Sequence, residues 1–546
     1  MPATPVLTQS HWPPDARAEL LDVTLGGLLQ DAAREVPGRI ALVEGAGPAE
    51  ARRRWTYAEL LDASSRLAGA LLARFQPGER LAVYAPNSPE WVLLQHAASL
   101  AGLPLVPLNP AYTATEAEVI LRSCRAVGVF HAERFRANDT AGIVAGLRAG
   151  LPQLREALRM DEIPALIGAQ PDGPALPAVL PTDPVQVQFT SGTTGVPKGA
   201  LLHHKGLINC ARFTAERAEF PDGGVWINSM PMFHIAGSAV TRLGALSKRG
   251  TFVLAPSFAP GEMLDLIETE RGNAALIVPT MILAMLDHPS LPDRDLSSLI
   301  TVVSGAANVP AALVERTKAE MGCRFTIVYG QTEVNGNVAT TRRDDSVEDQ
   351  IATVGRPLPH SEVKIADPVD GAVMPIGDPG EICVRGYQLM TGYDYLQEET
   401  SAVIDQEGWL HTGDLGTMDS RGYLRITGRL KDMIIRGGMN LYPKEIEDVI
   451  FNHPDVDQVS VVGVPDERWG EVVAAVISVA HPGTPPDIEM LSEFCRRRLA
   501  RHKVPVQWFV VERFPLTPSG KIQKFVLREQ IASGAITPQF RMTAQA

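Results

Sequence analysis

Short apolar runs alternate with longer stretches of helical period through most of the first 430 residues, the pattern of parallel strands and helices in α/β layers. "RLAVYAP" (80–86) is predicted as a strand. "SPEWVLLQHAASLAG" (88–102) then reads as a helix with Ser88 as its cap, Pro89 in its first turn and Gly102 past its end. "LPLVPLNP" returns as the next strand. In "TYAEL", Thr56 and Glu59 have capping-box spacing, which predicts a helix to about Arg74. "AALIVP" (274–279) and "ITVVSGAA" (300–307) read as buried strands ending in small residues, where open α/β sheets place ligands.

The texture changes after "YLRITGRLKDMIIRGGMNLYPKEIEDVI". Strands "VDQVSVVGV" and "EVVAAVISV", a helix across 487–502 and a strand in "VQWFVVERFP" suggest a small α+β unit. The expected fold class is α/β: a large N-terminal domain (1–430) of layered α/β subdomains plus a small α+β C-terminal domain (431–546). Neither an internal repeat nor a low-complexity block is visible.

At 546 residues the chain has room for several folding units and a large buried site. Lys and Arg number 50 against 63 Asp and Glu, a net charge of −13, so there is no broad basic footprint for nucleic acid. The N-terminus lacks the basic start and apolar core of a secretory leader. The most apolar long stretch, 91–108, is broken by Gln95, His96, Gly102, Pro104 and Pro107. A cytoplasmic protein without integral membrane association is expected. Its five cysteines, Cys124, Cys210, Cys323, Cys383 and Cys495, have no C-x-x-C pair or ligand spacing, so they read as buried small apolar residues in a reducing compartment.

The stretch at 190–200, "TSGTTGVPKGA", has the ingredients of a phosphate loop: four hydroxyls and glycines that let backbone approach an anion. It is not a Walker loop. With Lys198 in the lysine position, Pro197 stands where the second glycine belongs and Gly199 replaces the magnesium-binding hydroxyl. "YGQTE" (329–333) sets an aromatic ring, an amide, a hydroxyl and a carboxylate at a strand end, types able to stack a base and hold a hard cation. "HTGDLG" and "TGRLKD" supply Asp414 and Arg429; a carboxylate accepts from both hydroxyls of a ribose. "PLTPSGKIQK" presents Lys521 after a Pro-Ser-Gly turn. The loop at 190–200 reads as a phosphate loop of another class, whereas "YGQTE" is a weak signal on its own, and Asp414, Arg429 and Lys521, taken singly, are better explained as turn or surface chemistry.

As an ordered set spanning "TYAEL" to "PSGKIQK", they resemble the adenylate-forming superfamily of acyl-CoA synthetases, adenylation domains and firefly luciferase. The resemblance implies that Thr190, Ser191, Gly192, Thr193, Thr194, Gly195 and Lys198 clamp the β- and γ-phosphates of ATP. It places Tyr329 on adenine opposite Gly305, Ala306 and Ala307, and Gly330, Gln331 and Thr332 along the nucleotide. Glu333 would hold Mg²⁺, Asp414 and Arg429 the ribose, and Lys521 would bridge the acid carboxylate and α-phosphate. It further implies an acyl pocket at His234, Ile235, Gly237, Val334, Asn335 and Gly336, with His234 a gating or packing imidazole or, as the alternative, a catalytic proton-transfer group. Gly437 and Gly438 would leave room for the pantetheine arm of CoA, and Trp469 would contact the thiol partner or simply pack. Lys431 falls at the hinge about which the family's mobile C-terminal domain turns.

The expected function is an ATP-dependent acyl-CoA synthetase acting on a fatty, medium-chain or cyclic/aryl acid through acyl-AMP. ATP, Mg²⁺ and CoA are its cofactors and co-substrates. Loading of a carrier-protein phosphopantetheine and a noncatalytic nucleotide-binding module are the alternatives, and carrier-protein and homodimer partners stay open. Asn335 and Asn337, in "VNGNVATT", could serve either a polar substituent of the acid or their own backbone turns.

Overall fold

The computed structural model describes residues 6–170, 175–190, 197–305, 309–479, 487–516 and 522–541. The helix predicted after "RLAVYAP" spans Pro89–Leu100; Ser88 Oγ accepts the Trp91 N–H at 3.3 Å, and Gly102 takes a φ of +66°. The Thr56–Glu59 box is present, with both reciprocal bonds made, and its helix runs Tyr57–Leu72. Such a cap satisfies N–H groups that helix geometry leaves unpaired.

Among the described residues the strands form four sheets. In the seven-stranded sheet, Lys198–His203, Pro184–Thr190, Leu105–Pro107, Leu81–Tyr84, Gly128–His131 and Glu156–Arg159 lie side by side, with Gly392–Tyr393 at the edge. The nine-stranded sheet has Arg324–Tyr329, Thr301–Gly305, Ala274–Leu276 and Val225–Asn228 as consecutive parallel neighbours. Helices cover both sheets, and fully buried Trp91 and Trp226 lie in the core.

Two features depart from the sequence expectation. From Glu362–Ala366 onward the large domain abandons the parallel pattern: Glu362–Ala366, Gly380–Arg385, Leu410–Met418 and Leu424–Arg429 form an antiparallel sheet, joined at one edge by His11–Trp12. No long helix of 3.6-residue period separates these strands, and tight antiparallel connections need none. The helix expected across 487–502 ends at Arg496. Its chain turns away after three consecutive arginines, burying Leu499 and Val504 in the C-terminal core before a separate 3₁₀ turn at Arg501–Lys503.

The C-terminal domain pairs Val456–Asp466 with Gly470–Val479 as a long antiparallel hairpin and adds Gln507–Val510 in parallel, around fully buried Trp508. No described helix is long and apolar enough to cross a membrane. All five cysteines are buried, and burial pushes each thiol up to about 12.

Buried histidines make the fold acid-sensitive. His204 Nδ1 accepts the Leu25 N–H at 3.1 Å, and burial, then the neighbouring His203, lowers its pKa from 6.5 to about 3. A group depressed in this way stabilises the fold fully above its unfolded value and loses that contribution as pH falls toward the folded one. Denaturant midpoints should therefore fall as pH drops from 6.5 toward 3. His204→Asn, which keeps an acceptor but does not titrate, should flatten that slope; an unaltered slope would remove His204 from the account.

Candidate active site

Tyr329 ends the strand Arg324–Tyr329 of the nine-stranded sheet, and Asp414 lies in Leu410–Met418 of the antiparallel sheet. Despite separate origins they meet: the Tyr329 hydroxyl donates to Asp414 Oδ2 at 2.9 Å. Arg429, the cross-strand partner of Asp414, donates its Nε–H to Oδ1 at 3.1 Å. Tyr329 and Asp414 are buried while Arg429 is about half exposed. Burial, reinforced by the Asp414 charge, raises the Tyr329 phenol well above its ordinary value, so it remains a donor.

A second carboxylate shapes the turn before Asp414. Glu381, buried on the adjacent strand, accepts the Gly413 N–H at 2.9 Å through Oε1 and pairs with His411 Nδ1 at 2.8 Å through Oε2. Gly413 supplies a φ of +69°, and Thr412 Oγ1 accepts the Asp414 N–H at 3.1 Å. Cys383 Sγ lies 3.6 Å from His411 Nδ1, but both oxygens of Glu381 are already engaged in holding the turn.

Glycine is required beside Tyr329. A Cβ on Gly305 would lie 2.3 Å from the Val328 carbonyl oxygen, and one on Gly330 would lie 2.0 Å from that of Gly336. Gln331 is extended, and Thr332–Val334 makes a 3₁₀ turn that leaves Gln331, Thr332 and Glu333 partly exposed. Ala306 and Ala307 lie outside the described residues.

The phosphate loop is anchored at its two ends. Thr190 closes Pro184–Thr190, Lys198 opens Lys198–His203, and the two residues are antiparallel partners. Ser191, Gly192, Thr193, Thr194 and Gly195 between them, and Lys521, lie outside the described residues. Glu333 comes to these anchors: its Oε1 accepts the Tyr393 hydroxyl at 3.0 Å and that of Thr190 at 3.5 Å. Lys198 Nζ stands 5.3 Å from the centre of the Tyr393 ring, a cation–π distance. Burial, then the Glu333 charge, raises the Tyr393 phenol, which stays protonated and donating. Sequence reasoning missed Tyr393, because neither of the two tyrosines in "TGYDYL" has a spacing that marks it.

The segment expected to border an acyl pocket contains a π-helix, Ala236–Thr241, a rare form frequent at functional sites. His234 precedes it, partly exposed, with Nδ1 accepting the Ala236 N–H at 3.2 Å. Ile235 and Val334 are buried; a Cβ on Gly237 would lie 2.5 Å from the Pro231 carbonyl oxygen. A Cβ on Gly336 would meet Cys210 Sγ at 3.1 Å and Val240 Cγ2 at 3.2 Å. Both asparagines donate within the fold, while the buried Asn335 Oδ1 has no hydrogen-bond partner among the described residues. Asn335, left-handed at φ +54° and buried, donates to the Gln388 carbonyl at 3.0 Å, and Asn337 Nδ2 donates to Thr214 Oγ1 at 3.0 Å.

In the C-terminal domain, Gly437 and Gly438 turn the hairpin between Ile434–Arg436 and Met439–Leu441 at positive φ. Only Gly438 has open space where a side chain would stand. A Cβ on Gly437 would lie 2.8 Å from the Trp469 ring, so that tryptophan packs against the turn. Lys431 is exposed in a 3₁₀ turn, Leu430–Asp432, between the antiparallel sheet and this domain.

Comparison with known proteins meets the same architecture. The chain matches the AMP-binding enzyme family over residues 29–394 and the AMP-binding enzyme C-terminal domain over 445–521. It is 38% identical over 520 residues to the 3-[(3aS,4S,7aS)-7a-methyl-1,5-dioxo-octahydro-1H-inden-4-yl]propanoyl:CoA ligase of Mycobacterium tuberculosis, covering 93% of this chain and 98% of that one. It is 33% identical over 568 residues to the human mitochondrial medium-chain acyl-CoA ligase ACSF2, covering 97% of this chain and 91% of that one. ATP-bound MatB from Rhodopseudomonas palustris superposes with a TM-score of 0.84 at 29% identity, over 93% of this chain and 99% of that one. With its large α/β domain, small C-terminal domain and matched family segments, the chain belongs to the adenylate-forming superfamily of AMP-binding enzymes, as an AMP-forming acid–CoA ligase.

Proposed function

We propose that the enzyme activates an apolar carboxylic acid of medium chain length, or one carrying a ring system, and transfers the acyl group to CoA. In the first half-reaction the carboxylate oxygen attacks the α-phosphorus of ATP, forming acyl-AMP and breaking the bond to pyrophosphate. In the second, the CoA thiolate attacks the acyl carbon and AMP leaves.

The observation that carries this reading is the meeting of Tyr329, Asp414 and Arg429 beside the strand end from which Glu333 reaches Thr190 and Tyr393. Asp414 Oδ1 and Oδ2 can receive ribose hydroxyls where they now receive Arg429 and Tyr329. Lys198 and the loop after Thr190 take the β- and γ-phosphates. A carboxylate beside a hydroxyl is a hard-oxygen donor set, suited to Mg²⁺ bound to phosphates, which would offset their charge when present. Lys521 would serve the two anions that must approach each other, the carboxylate and the α-phosphate, by offsetting their repulsion. The acid class is supported by the internal bond of Asn337 to Thr214, the apolar surroundings of Gly336, and the medium-chain and ring-bearing acids named for two relatives. Lys431 serves as the hinge, and the turn at Gly437 and Gly438 approaches the pantetheine arm after domain rotation.

The test is pyrophosphate release from ATP and Mg²⁺ across a panel of acids, with and without CoA, with products weighed by mass spectrometry. Acid-dependent pyrophosphate with an acyl-CoA product is expected for medium-chain and cyclic acids. Acyl-adenylate that never becomes a CoA thioester would transfer the second half-reaction to a carrier protein.

A further inference from the structure

We propose that Tyr393 is a positioning residue that orients the Glu333 carboxylate toward the metal–nucleotide complex and ties it to the phosphate loop through Lys198. The role rests on the adenylation reading above and adds to it a residue on a different strand.

Both hydroxyl contacts to Glu333, from Tyr393 at 3.0 Å and Thr190 at 3.5 Å, fall on Oε1. Among the described residues no partner is recorded for Oε2, which can take another ligand, and a carboxylate fixed through one oxygen presents the other in a defined direction. This is how groups behind a ligating side chain tune a metal site. The Tyr393 ring also faces the Lys198 ammonium, so one side chain touches both the group expected to hold the cation and a group expected to hold the phosphates.

The backbone makes the position firm. Gly392–Tyr393 pairs antiparallel with Lys198–His203, setting Tyr393 opposite Ala200. Met390 N–H donates to the Glu333 carbonyl at 2.8 Å, and Asp394 N–H donates to the Gly199 carbonyl at 2.7 Å. Asp394 is pinned in turn by Arg80 at 2.6 Å. Three consecutive anchors thus hold one short strand between the Glu333 turn and the exit of the phosphate loop. A tyrosine needed only for packing would not require its hydroxyl on Glu333.

The test is the binding of Mn²⁺, a spectroscopic substitute for Mg²⁺, to the enzyme with α,β-methylene-ATP, followed by loss of the free-Mn²⁺ paramagnetic signal. Tyr393→Phe keeps the ring beside Lys198 and removes only the hydroxyl. It should weaken Mn²⁺ binding about tenfold, the lower end of what losing such a supporting bond does. It should also raise the Mg²⁺ concentration that half-saturates pyrophosphate release by a similar factor, while the unfolding midpoint and the conversion of supplied acyl-AMP to acyl-CoA stay at wild-type values. Tyr393→Leu should in addition raise the KM for ATP. Superimposable Mn²⁺ curves for wild type and Tyr393→Phe would overturn the role while leaving the adenylation reading intact. A wild-type protein that binds no metal–nucleotide complex and releases no pyrophosphate with any acid would overturn both.

Discussion

Lys521→Ala is expected to slow acid-dependent pyrophosphate release by about 10²- to 10³-fold, the effect of losing a charge-stabilising donor aimed at the transition state. The same variant, supplied with preformed acyl-AMP and CoA, should produce acyl-CoA at close to the wild-type rate. The asymmetry follows from where charge must be managed. Adenylation drives a carboxylate onto a polyanion, and a cation between them lowers the repulsion at the moment the new P–O bond forms. Thioester formation instead breaks the acyl C–O bond: a single thiolate attacks the acyl carbon and AMP leaves with the new P–O bond intact, so no triphosphate is involved, and in the alternating-domain reading Lys521 has by then been withdrawn about the hinge at Lys431. Rapid-quench measurement of each half-reaction decides the matter. Equal losses in both would mean that Lys521 supports the fold or binds a shared part of the substrates.

Asp414→Asn should have the next largest effect, and on a different parameter. The carboxylate accepts from Tyr329 at 2.9 Å and Arg429 at 3.1 Å, and in the proposed complex it would accept from the ribose hydroxyls. An amide of the same shape loses the charge and replaces one acceptor oxygen by a donor facing the Tyr329 hydroxyl. Hydrogen bonds to a charged group are worth about 1.5–3 kcal/mol. The KM for ATP and the Kd for AMP should therefore rise roughly ten- to hundredfold. The Mg²⁺ requirement should stay unchanged, because Glu333 and Tyr393 are untouched. AMP affinity equal to wild type by calorimetry would exclude Asp414 from nucleotide binding.

The sequence made the ends of the site legible more readily than its joints. Thr56, Glu59, Ser88, Pro89 and Gly102 act over a few neighbouring residues, so their caps and turns could be read locally. Asp414 and Arg429 are also local in effect, being opposite one another on adjacent strands. The contact of Tyr329 with Asp414 joins different sheets, and period and spacing contain no information about such a meeting. Tyr393 and Glu381 escaped notice for the same reason: each acts on a residue far away in the chain, and neither belongs to a motif whose residue types announce chemistry. The antiparallel sheet was obscured because its strands share no common period, Gly380–Arg385 being buried almost throughout and Leu410–Met418 rich in polar residues and glycine, and because they lack the long helices that marked the earlier layers. The partners of Asn335 and Asn337, Gln388 and Thr214, lie far off in the chain and could not be read from spacing.

The three sheets of the large domain share one hydrophobic core, and they also meet through a few polar side chains that are proposed nucleotide contacts. Tyr329 and Asp414 link the nine-stranded and antiparallel sheets, while Glu333 reaches from beyond the nine-stranded sheet to Thr190 and Tyr393 of the seven-stranded one. A nucleotide occupying this junction acts as a keystone, because separating any one sheet from the others would require giving up part of its binding free energy. At a hundred times its Kd a ligand stabilises the state it binds by about 2.7 kcal/mol. Here that increment would oppose sub-global opening of each sheet and not only of the strand ends it touches. Substrate binding would thus make three layers unfold as one cooperative body, with amide exchange slowing at depths no nucleotide atom reaches.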